Sequence, residues 1–229
     1  MIETVFSLSH PFHLLIVDDG SPDGTAALVT ALQNKYSDRL FLLQRTGKLG
    51  LGTAYIAGFR WGLERGYAYF FEMDADFSHS PNDLIRLREA CDQGGADLAI
   101  GSRYVRGGKL VNWTSDRIFL SIGASFYVRC VTWMPVRDPT AGFICYKRKV
   151  LETIDLSKIR FVGYAFQIEM KFAARSLGFR IKEVPITFTD RIEGVSKMSK
   201  GIVREAILGV LQMRWRSFFI NYAQEPAIG

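Results

Sequence analysis

Short apolar runs alternate with helical segments of about twelve residues along the first half of the chain, and this alternation limits the fold more than any other feature. The apolar runs are typical of buried strands and lie at 13–17, 40–44, 67–73 and 97–102. The segments between them predict helices at 21–36, 53–65 and 81–93. Ser21 and Pro22 are expected to cap and open the first helix. This order of elements predicts an α/β fold with a doubly wound, mostly parallel central sheet.

The second half of the sequence has a looser pattern, within a chain of 229 residues that is long enough for one large domain. Helices are predicted at 115–134, 166–177 and 200–215, and strands at 140–146 and 180–187. The last helix is amphipathic, which is more typical of packing on a core than of a membrane anchor. We therefore predict a single domain over residues 1–229.

The charge balance is basic, with 29 Lys and Arg against 23 Asp and Glu and a formal net charge of +6. Such a surplus fits a phosphate-rich partner or an anionic surface, and it also fits ordinary solvated side chains. The three cysteines lack metal-binding spacing, and no run of about 18 to 20 uncharged apolar residues predicts a membrane-spanning helix.

Two carboxylates, Asp74 and Asp76, follow the apolar run 67–71. Side chains at positions i and i+2 face the same side of an extended strand, so both carboxylates can reach one ligand. A hard cation such as Mg²⁺ takes few protein carboxylates and completes its shell with water and phosphate oxygens. An isolated Asp-x-Asp pair is more often part of a turn or a cap, but its place at a strand end indicates a metal site for a nucleotide diphosphate.

Polar groups also follow the other predicted strands, where doubly wound sheets bind their ligands. Asp18 and Asp19 fit contacts to a ribose or a base, or else to the positive end of the next helix. The glycine loop 47–52 lets the backbone at Gly50 approach a ligand, and Lys48 adds a charge for phosphate, although the P-loop pattern is absent. Arg103 fits phosphate binding or a surface ion pair.

Other candidates lie in the second half of the chain. Arg117 has the same two interpretations as Arg103. The loop 190–197 either closes over a diphosphate or forms a solvated turn. Gln167 and Glu169 lie among Phe, Ile and Met, where a polar group is costly unless it is paired or faces a cavity. Glu169 is therefore either a member of a buried ion pair or a carboxylate that lines a site.

Seven sequence blocks resemble those of one enzyme family, in the order expected for it. They are VDDGSPDGT (17–25), GKLGLGTAYIAGF (47–59), EMDADFSHSP (72–81), IGSRYV (100–105), DPTAGF (138–143), GYAFQIEM (163–170) and DRIEGVSKMS (190–199). Through them the chain resembles, over nearly its whole length, the dolichol-phosphate (polyprenol-phosphate) mannose synthases of the inverting glycosyltransferase family 2. The resemblance implies the GT-A nucleotide-sugar fold.

The resemblance also implies roles for individual residues. Asp18 and Asp19 would bind the guanosine part of the donor, and Asp74 and Asp76 would hold Mg²⁺ or Mn²⁺ against its diphosphate, with Ser78 as a further ligand. The remaining roles are acceptor-phosphate binding by Arg103 and Arg117, a clamp on the donor diphosphate by Arg191, Ser196 and Lys197, and a sugar pocket lined by Gln167 and Glu169.

The implied reaction moves mannose from GDP-mannose to a polyprenyl or dolichyl phosphate, with inversion at the anomeric carbon. Because the acceptor phosphate is already ionised at neutral pH, a strong general base is not required. The expected partners are the nucleotide sugar, the lipid phosphate, and a membrane surface or a membrane-anchored subunit, with no nucleic acid. The expected location is peripheral, on the cytoplasmic side of the endoplasmic reticulum in a eukaryote or of the plasma membrane in a prokaryote.

The chain departs from the family pattern at its start, where residues 1–9 look like the end of a helix and the family's opening strand is missing. We expect the loss of a central strand to expose the edges of its neighbours. Two alternatives stay open: a UDP-glucose-dependent polyprenyl-phosphate glucosyltransferase and, because of the missing strand, an inactive truncated or regulatory form.

Overall fold

The computed structural model describes residues 1–163, 165–190 and 200–225, with the side chains of 200–206 left out. Helices in these ranges are α1 (Ile2–Phe6), α2 (Thr25–Gln33), α3 (Leu51–Glu64), α4 (Asp83–Asp92), α5 (Ser115–Thr132), α6 (Arg148–Thr153), α7 (Ala165–Ser176) and α8 (Lys200–Arg216). Strands are β1 (Leu14–Asp18), β2 (Leu40–Gln44), β3 (Tyr69–Glu72), β4 (Leu98–Ser102), β5 (Lys109–Val111), β6 (Ile144–Lys147), β7 (Ile181–Pro185) and β8 (Thr187–Thr189).

The central sheet has four strands in the order β3-β6-β4-β7. The strand β6 runs antiparallel to both of its neighbours, whereas β4 and β7 are parallel. The strands β1 and β2 form a separate parallel pair, as do β5 and β8. The α/β prediction is confirmed, but the central sheet is mixed because β6 enters it from the opposite direction.

The main core lies around the four-stranded sheet. All five residues of β4 are buried, and Leu98 and Ile100 pack with Ile144 and Tyr146 of β6. The pair β1 and β2 is less buried, since Leu14 to Val17 and Phe41 to Leu43 all keep part of their surface exposed. The two sheets therefore differ in how tightly they are packed.

The helix α3 contacts both sheets through two of its glycines. A Cβ atom on Gly58 would lie 3.6 Å from a Leu15 methyl group of β1, and a Cβ atom on Gly62 would lie 2.5 Å from the Phe70 ring of β3. An apolar cleft of about 630 Å³ separates β1 from β3. In the described part of the chain, β1 pairs only with β2 and β3 pairs only with β6, so each presents one open edge.

One predicted boundary is wrong, because α2 begins at Thr25 after Gly24 in the left-handed conformation with φ of 80°. Ser21 and Pro22 lie in the preceding turn, where the Asp18 carboxylate accepts the N–H groups of Gly20 and Ser21. The strand predicted at 140–146 is also shorter and begins only at Ile144. None of the helices in the described ranges has the length and apolar character needed to cross a bilayer.

Candidate active site

The acidic pair lies in the loop that follows β3. The Oδ1 atom of Asp76 accepts the Ser78 N–H at 3.0 Å, and the Ser78 carbonyl accepts the Thr189 N–H of β8 at 3.1 Å. Asp74 interacts with the Tyr55 hydroxyl of α3. The loop is therefore held from both sides, with Asp76 exposed and Ser78 buried.

Negative charge is concentrated at this end of β3. Burial, together with the charges of Glu72, Asp74 and Asp76, raises the pKa of Tyr55 well above its usual value. Two exposed or half-exposed carboxylates and a nearby hydroxyl are oxygen ligands of the kind that Mg²⁺ and Mn²⁺ bind. No cluster of three or more His, Cys, Asp or Glu with metal-binding geometry occurs in the described ranges, so a cation here would depend on water or phosphate for the rest of its shell.

Two buried titratable residues, Glu72 and Lys171, lie behind the acidic loop and influence each other by charge, and they were not predicted. Burial raises the pKa of Glu72 to about 7, against the opposing influence of Gln167, Lys171 and Tyr146. Burial likewise lowers the pKa of Lys171 to about 8, and its Nζ donates to the carbonyls of Ala141 at 2.6 Å and Gln167 at 3.0 Å. A glutamate inside an apolar strand was the signal in the sequence that pointed to this pair.

Asp18 is the last residue of β1 and Asp19 follows it, and their carboxylates have different partners. Asp18 is buried and accepts backbone N–H groups of the turn that follows it. Asp19 forms a bidentate ion pair with Arg45, whose Nε donates to Oδ1 at 2.6 Å and whose Nη2 donates to Oδ2 at 2.7 Å. Arg45 was not predicted as a site residue. It comes directly after β2 just as Asp19 comes directly after β1, and the paired register of the two strands brings them together.

Gly50 and Gly52 of the glycine loop lie close against other parts of the protein, whereas Gly47 faces open space. A Cβ atom on Gly50, where φ is +98°, would lie 2.9 Å from Val162, and one on Gly52 would lie 2.6 Å from the Phe166 ring. The Gly52 N–H also donates to the Val162 carbonyl at 2.9 Å. These two glycines allow close packing against the start of α7 and the segment before it. Lys48 is exposed and has no ion pair or side-chain hydrogen bond within the described residues.

Arg103 is almost fully buried, not part of a surface pair. Its Nε and Nη2 atoms donate to the two carboxylate oxygens of Asp138 at 2.7 Å each, and Nη2 also reaches Thr140. Burial, the leading influence, raises the pKa of Asp138, but the hydrogen bonds and charge of Arg103 outweigh it and hold that pKa below its usual value. The Nη1 group of Arg103 has no hydrogen bond within the described part of the chain.

Arg117, at the start of α5, is half-exposed and pairs with Asp190. Its guanidinium lies 4.0 Å from the centre of the Trp113 ring, and the guanidinium of Arg103 lies 5.7 Å from the same ring. The structure thus brings the two predicted phosphate-binding arginines to one indole. Trp113 was missed because a lone tryptophan in a loop carries no positional signal.

Helical geometry separates Gln167 from Glu169, which were predicted to line one pocket together. Residues two apart on a helix point in nearly opposite directions. Gln167 lies beside Glu72, whereas the Glu169 carboxylate accepts the N–H groups of Arg160 and Phe161 and the Tyr222 hydroxyl. Arg216 lies 3.4 Å from it. Glu169 is therefore a member of a buried ion pair that ties α7 to α8, which was one of its two predicted interpretations.

His79 is buried next to the acidic loop. Its ring lies 4.9 Å from Phe143 and 5.1 Å from Phe188 between ring centres, and Nδ1 has no partner within the described residues. Burial lowers its pKa to about 4, against the charge of Asp76. The predicted clamp residues Arg191, Ser196 and Lys197 lie outside the described residues.

An α/β fold with an acidic loop after β3, Arg103 after β4 and Arg117 beside the same indole is the arrangement of a nucleotide-sugar transferase. The sequence model for glycosyl transferase family 2 matches residues 1–155, and the chain belongs to that family. It is 53% identical over 200 residues to polyprenol monophosphomannose synthase of Mycolicibacterium smegmatis, covering 87% of this chain and 75% of the relative. It is 50% identical over 206 residues to undecaprenyl-phosphate mannosyltransferase of Micrococcus luteus, covering 88% of this chain and 84% of the relative.

Solved structures support the GT-A fold. Glucosyl-3-phosphoglycerate synthase from Mycobacterium tuberculosis superposes with a TM-score of 0.61 at 18% identity, over 89% of this chain and 69% of the other. The same enzyme in complex with Mn²⁺, uridine diphosphate and glucosyl-3-phosphoglycerate gives a TM-score of 0.59 over 88% of this chain and 68% of the other. At this identity the likeness concerns the fold alone.

Proposed function

We propose that this chain transfers mannose from GDP-mannose to a polyprenyl phosphate with inversion at the anomeric carbon. The proposal rests mainly on sequence identity of 50% or more to two relatives, and the names of both refer to mannose and a polyprenyl phosphate. The acidic loop after β3 and the two arginines on Trp113 supply the charges that a sugar diphosphate and a lipid phosphate require.

Asp74 and Asp76 would hold a divalent cation, with Ser78 close by. The donor set fits such an ion, because the Oδ2 atom of Asp76 has no hydrogen bond within the described residues and Asp76 is exposed. When bound, the cation supplies neutralisation of the leaving diphosphate. Asp18 and Asp19 would contact the nucleoside, with Arg45 fixing the Asp19 carboxylate in one orientation.

The acceptor phosphate would bind to the arginines. Arg103 is fixed by Asp138 and keeps its Nη1 donors for a phosphate, and Arg117 would exchange Asp190 for the same anion. The acceptor oxygen is already negative at neutral pH, so these residues hold and orient it rather than remove a proton. Gln167 would face the sugar, and Lys48 with Arg191, Ser196 and Lys197 would contact the donor diphosphate.

Transfer of labelled sugar tests the proposal. The purified chain is incubated with GDP-mannose or UDP-glucose and a short polyprenyl phosphate in detergent, with Mg²⁺, Mn²⁺ or EDTA. We expect a mannolipid that forms only with a divalent cation and only from GDP-mannose. Transfer from UDP-glucose instead would support the glucosyltransferase alternative, and donor binding without transfer from either nucleotide sugar would support the inactive or regulatory form.

A further inference from the structure

Glu183, the middle residue of β7, was not predicted as a site residue, and its carboxylate accepts three hydrogen bonds. Its Oε1 atom accepts the Ser102 hydroxyl at 2.7 Å and the Asp138 N–H at 2.9 Å, and its Oε2 atom accepts the Arg137 N–H at 2.8 Å. Ser102 is the residue before Arg103, and Asp138 is the ion-pair partner of Arg103. One carboxylate therefore holds both sides of the ion pair between Arg103 and Asp138.

Asp138 in turn fixes both the backbone and the side chain of Arg103. Its Oδ2 atom accepts the Arg103 backbone N–H at 3.0 Å and Nε–H at 2.7 Å, and its Oδ1 atom accepts Nη2–H at 2.7 Å. A guanidinium is a rigid planar fork, so fixing Nε and Nη2 also sets the direction of Nη1. Nη1 is the group of Arg103 that is proposed to bind the acceptor phosphate.

The packing around these groups leaves little room for another arrangement. Ser102 and Asp138 are fully buried, and the Arg103 side chain is only 10% exposed. The Arg103 guanidinium lies 5.1 Å from the centre of the Tyr104 ring and 5.6 Å from that of the Phe188 ring. Because the N–H group of a buried residue is costly to leave without an acceptor, the position of Asp138 depends on a carboxylate from β7.

Charge alone does not explain a second carboxylate at this point. Asp138 already balances the charge of Arg103, so Glu183 adds a negative charge close to groups that are proposed to bind an anion. By Coulomb's law such a charge opposes phosphate binding. A carboxylate that is unfavourable by its charge, and that accepts three hydrogen bonds from the residues around an arginine, indicates a role in geometry.

We infer that Glu183 is a positioning residue for the acceptor phosphate: it fixes Ser102 and Asp138, and through them it directs the Nη1 group of Arg103 towards the phosphate. The inference rests on the proposed function in one respect, since Arg103 is assigned to the acceptor there. Glu183 lies outside the seven sequence blocks that resemble the family, so only the fold connects it with the candidate site.

Binding of a short polyprenyl phosphate to the full chain, measured by calorimetry without any nucleotide sugar, tests the inference. Glu183→Gln removes the charge and replaces one acceptor oxygen by an amide group that cannot accept an N–H. We expect the phosphate to bind about fivefold or more weakly, and GDP-mannose with Mg²⁺ to bind as it does to the wild type. An effect of charge alone has the opposite sign, so unchanged or tighter phosphate binding would overturn the inference.

The matched control is Asp97→Asn, which changes a buried carboxylate at the other end of the same two strands. Asp97 is 4% exposed, comes directly before β4, and accepts the N–H of Arg180, which comes directly before β7, at 2.9 Å. The control should lower the midpoint of urea unfolding, as Glu183→Gln does, but leave phosphate affinity unchanged. Equal losses of phosphate affinity in the two variants would contradict the inference, because any loosening of β4 from β7 would then have the same effect.

A double-mutant cycle with Arg103→Lys tests whether Glu183 acts through Arg103. Lysine keeps a positive charge beside Asp138 but lacks the planar fork, so no Nη1 group remains for Glu183 to direct. In this background Glu183→Gln should change phosphate affinity by less than about twofold. A loss as large as in the wild-type background would rule the inference out, since Glu183 would then act independently of Arg103.

Ser102→Ala is a second variant, which keeps the charge of Glu183 and its two backbone hydrogen bonds. Circular dichroism and thermal unfolding check that each variant folds, and Ser102→Ala decides the question if Glu183→Gln does not. We expect it to weaken phosphate binding about twofold or more, and unchanged affinity would refute the inference.

The wild-type chain separates this inference from the proposed function. If it binds no polyprenyl phosphate, the inference fails, because there is no phosphate for Arg103 to meet. Phosphate binding with the expected losses in the variants, together with no transfer of mannose from GDP-mannose, would leave the inference standing and count only against the proposed function.

Discussion

The four-stranded sheet and the β1-β2 pair contribute to the same candidate site but are built differently. Every residue of β4 is buried and three of the four in β6 are, whereas most residues of β1 and β2 remain partly exposed. The acidic loop and Arg103 follow strands of the four-stranded sheet, whereas Asp18 and Asp19 lie at the end of β1. The residues proposed for the metal and the acceptor are thus fixed by the main core, and those proposed for the nucleoside are held mainly by local pairing.

The link between the two sheets is the helix α3 and not a continuous ladder of strands. Across the apolar cleft, β1 and β3 each leave one edge without a strand partner among the described residues. A strand that is hydrogen-bonded on one side only, with partly exposed side chains, opens more readily than one inside a sheet. The difference predicts that the β1-β2 pair is the less stable part of the molecule.

The largest expected effect separates the chemical roles of the two sheets. Asp76→Asn should lower kcat by about a hundredfold or more, because it removes one of the two charges that hold a cation at the leaving diphosphate. Asp18→Asn should instead raise KM for the donor with a smaller effect on kcat. Steady-state kinetics with varied GDP-mannose measure both. Equal losses of kcat in the two variants would contradict this division of roles.

The same leucine-to-alanine substitution in each sheet compares how tightly the two sheets are packed. Leu98→Ala in β4, at a fully buried core position, should lower the free energy of unfolding by about 2–5 kcal/mol. Leu15→Ala in β1, at the cleft and partly exposed, should cost about 1 kcal/mol, because water already reaches part of the site. Urea unfolding of both variants measures the difference. A larger loss for Leu15→Ala would show that the cleft is better packed than its exposure indicates.

Amide hydrogen exchange measures the relative stability of the two sheets in the chain without substitutions. The amides of β4, which lies between β6 and β7, should exchange about tenfold or more slowly relative to those of β1, since opening β4 disrupts two ladders and the core. Mass spectrometry of peptides from 14–18 and 98–102 provides the measurement. Equal protection of the two peptides would mean that the sheets open together as one cooperative unit.

The elements of the first half were predictable because each depends on a local pattern. The runs at 40–44 and 97–102 are mostly apolar, and they became β2 and β4 within one residue. The start of α2 was missed because the Asp18 carboxylate and Gly24 shape the turn in place of a Ser21 cap. The direction of β6 depends on the path of the chain between distant elements, and no local pattern encodes it.

The positions of the acidic loop and the arginines were predictable, but their partners were not. Hydrogen bonds join Asp19 to Arg45 and Arg103 to Asp138 across 26 and 35 positions of the chain. Lys171 acts by its charge on the buried Glu72, which lies 99 positions earlier. A sequence shows that a charge is present, and only the fold shows which opposite charge meets it. The register of β1 and β2 would have predicted the pair of Asp19 and Arg45, because these residues come directly after Asp18 and Gln44, which stand opposite each other.

The smallest expected effect on stability comes from substituting two glycines of α3, Gly58 and Gly62. One faces β1 and the other faces β3, so the two substitutions compare how closely the helix packs on each sheet. Gly58→Ala should stabilise the chain by about 0.5–1 kcal/mol, because alanine favours the helix and its Cβ would meet Leu15 at an ordinary contact distance of 3.6 Å. Gly62→Ala should destabilise it by about 1–3 kcal/mol, because its Cβ would lie 2.5 Å from the Phe70 ring. Both substitutions gain the same helix propensity, so the difference between their urea midpoints reports how closely α3 packs on each sheet. If Gly58→Ala destabilises the chain as much as Gly62→Ala, then α3 lies as tightly on β1 as on β3, and the contrast between the sheets is confined to the cleft.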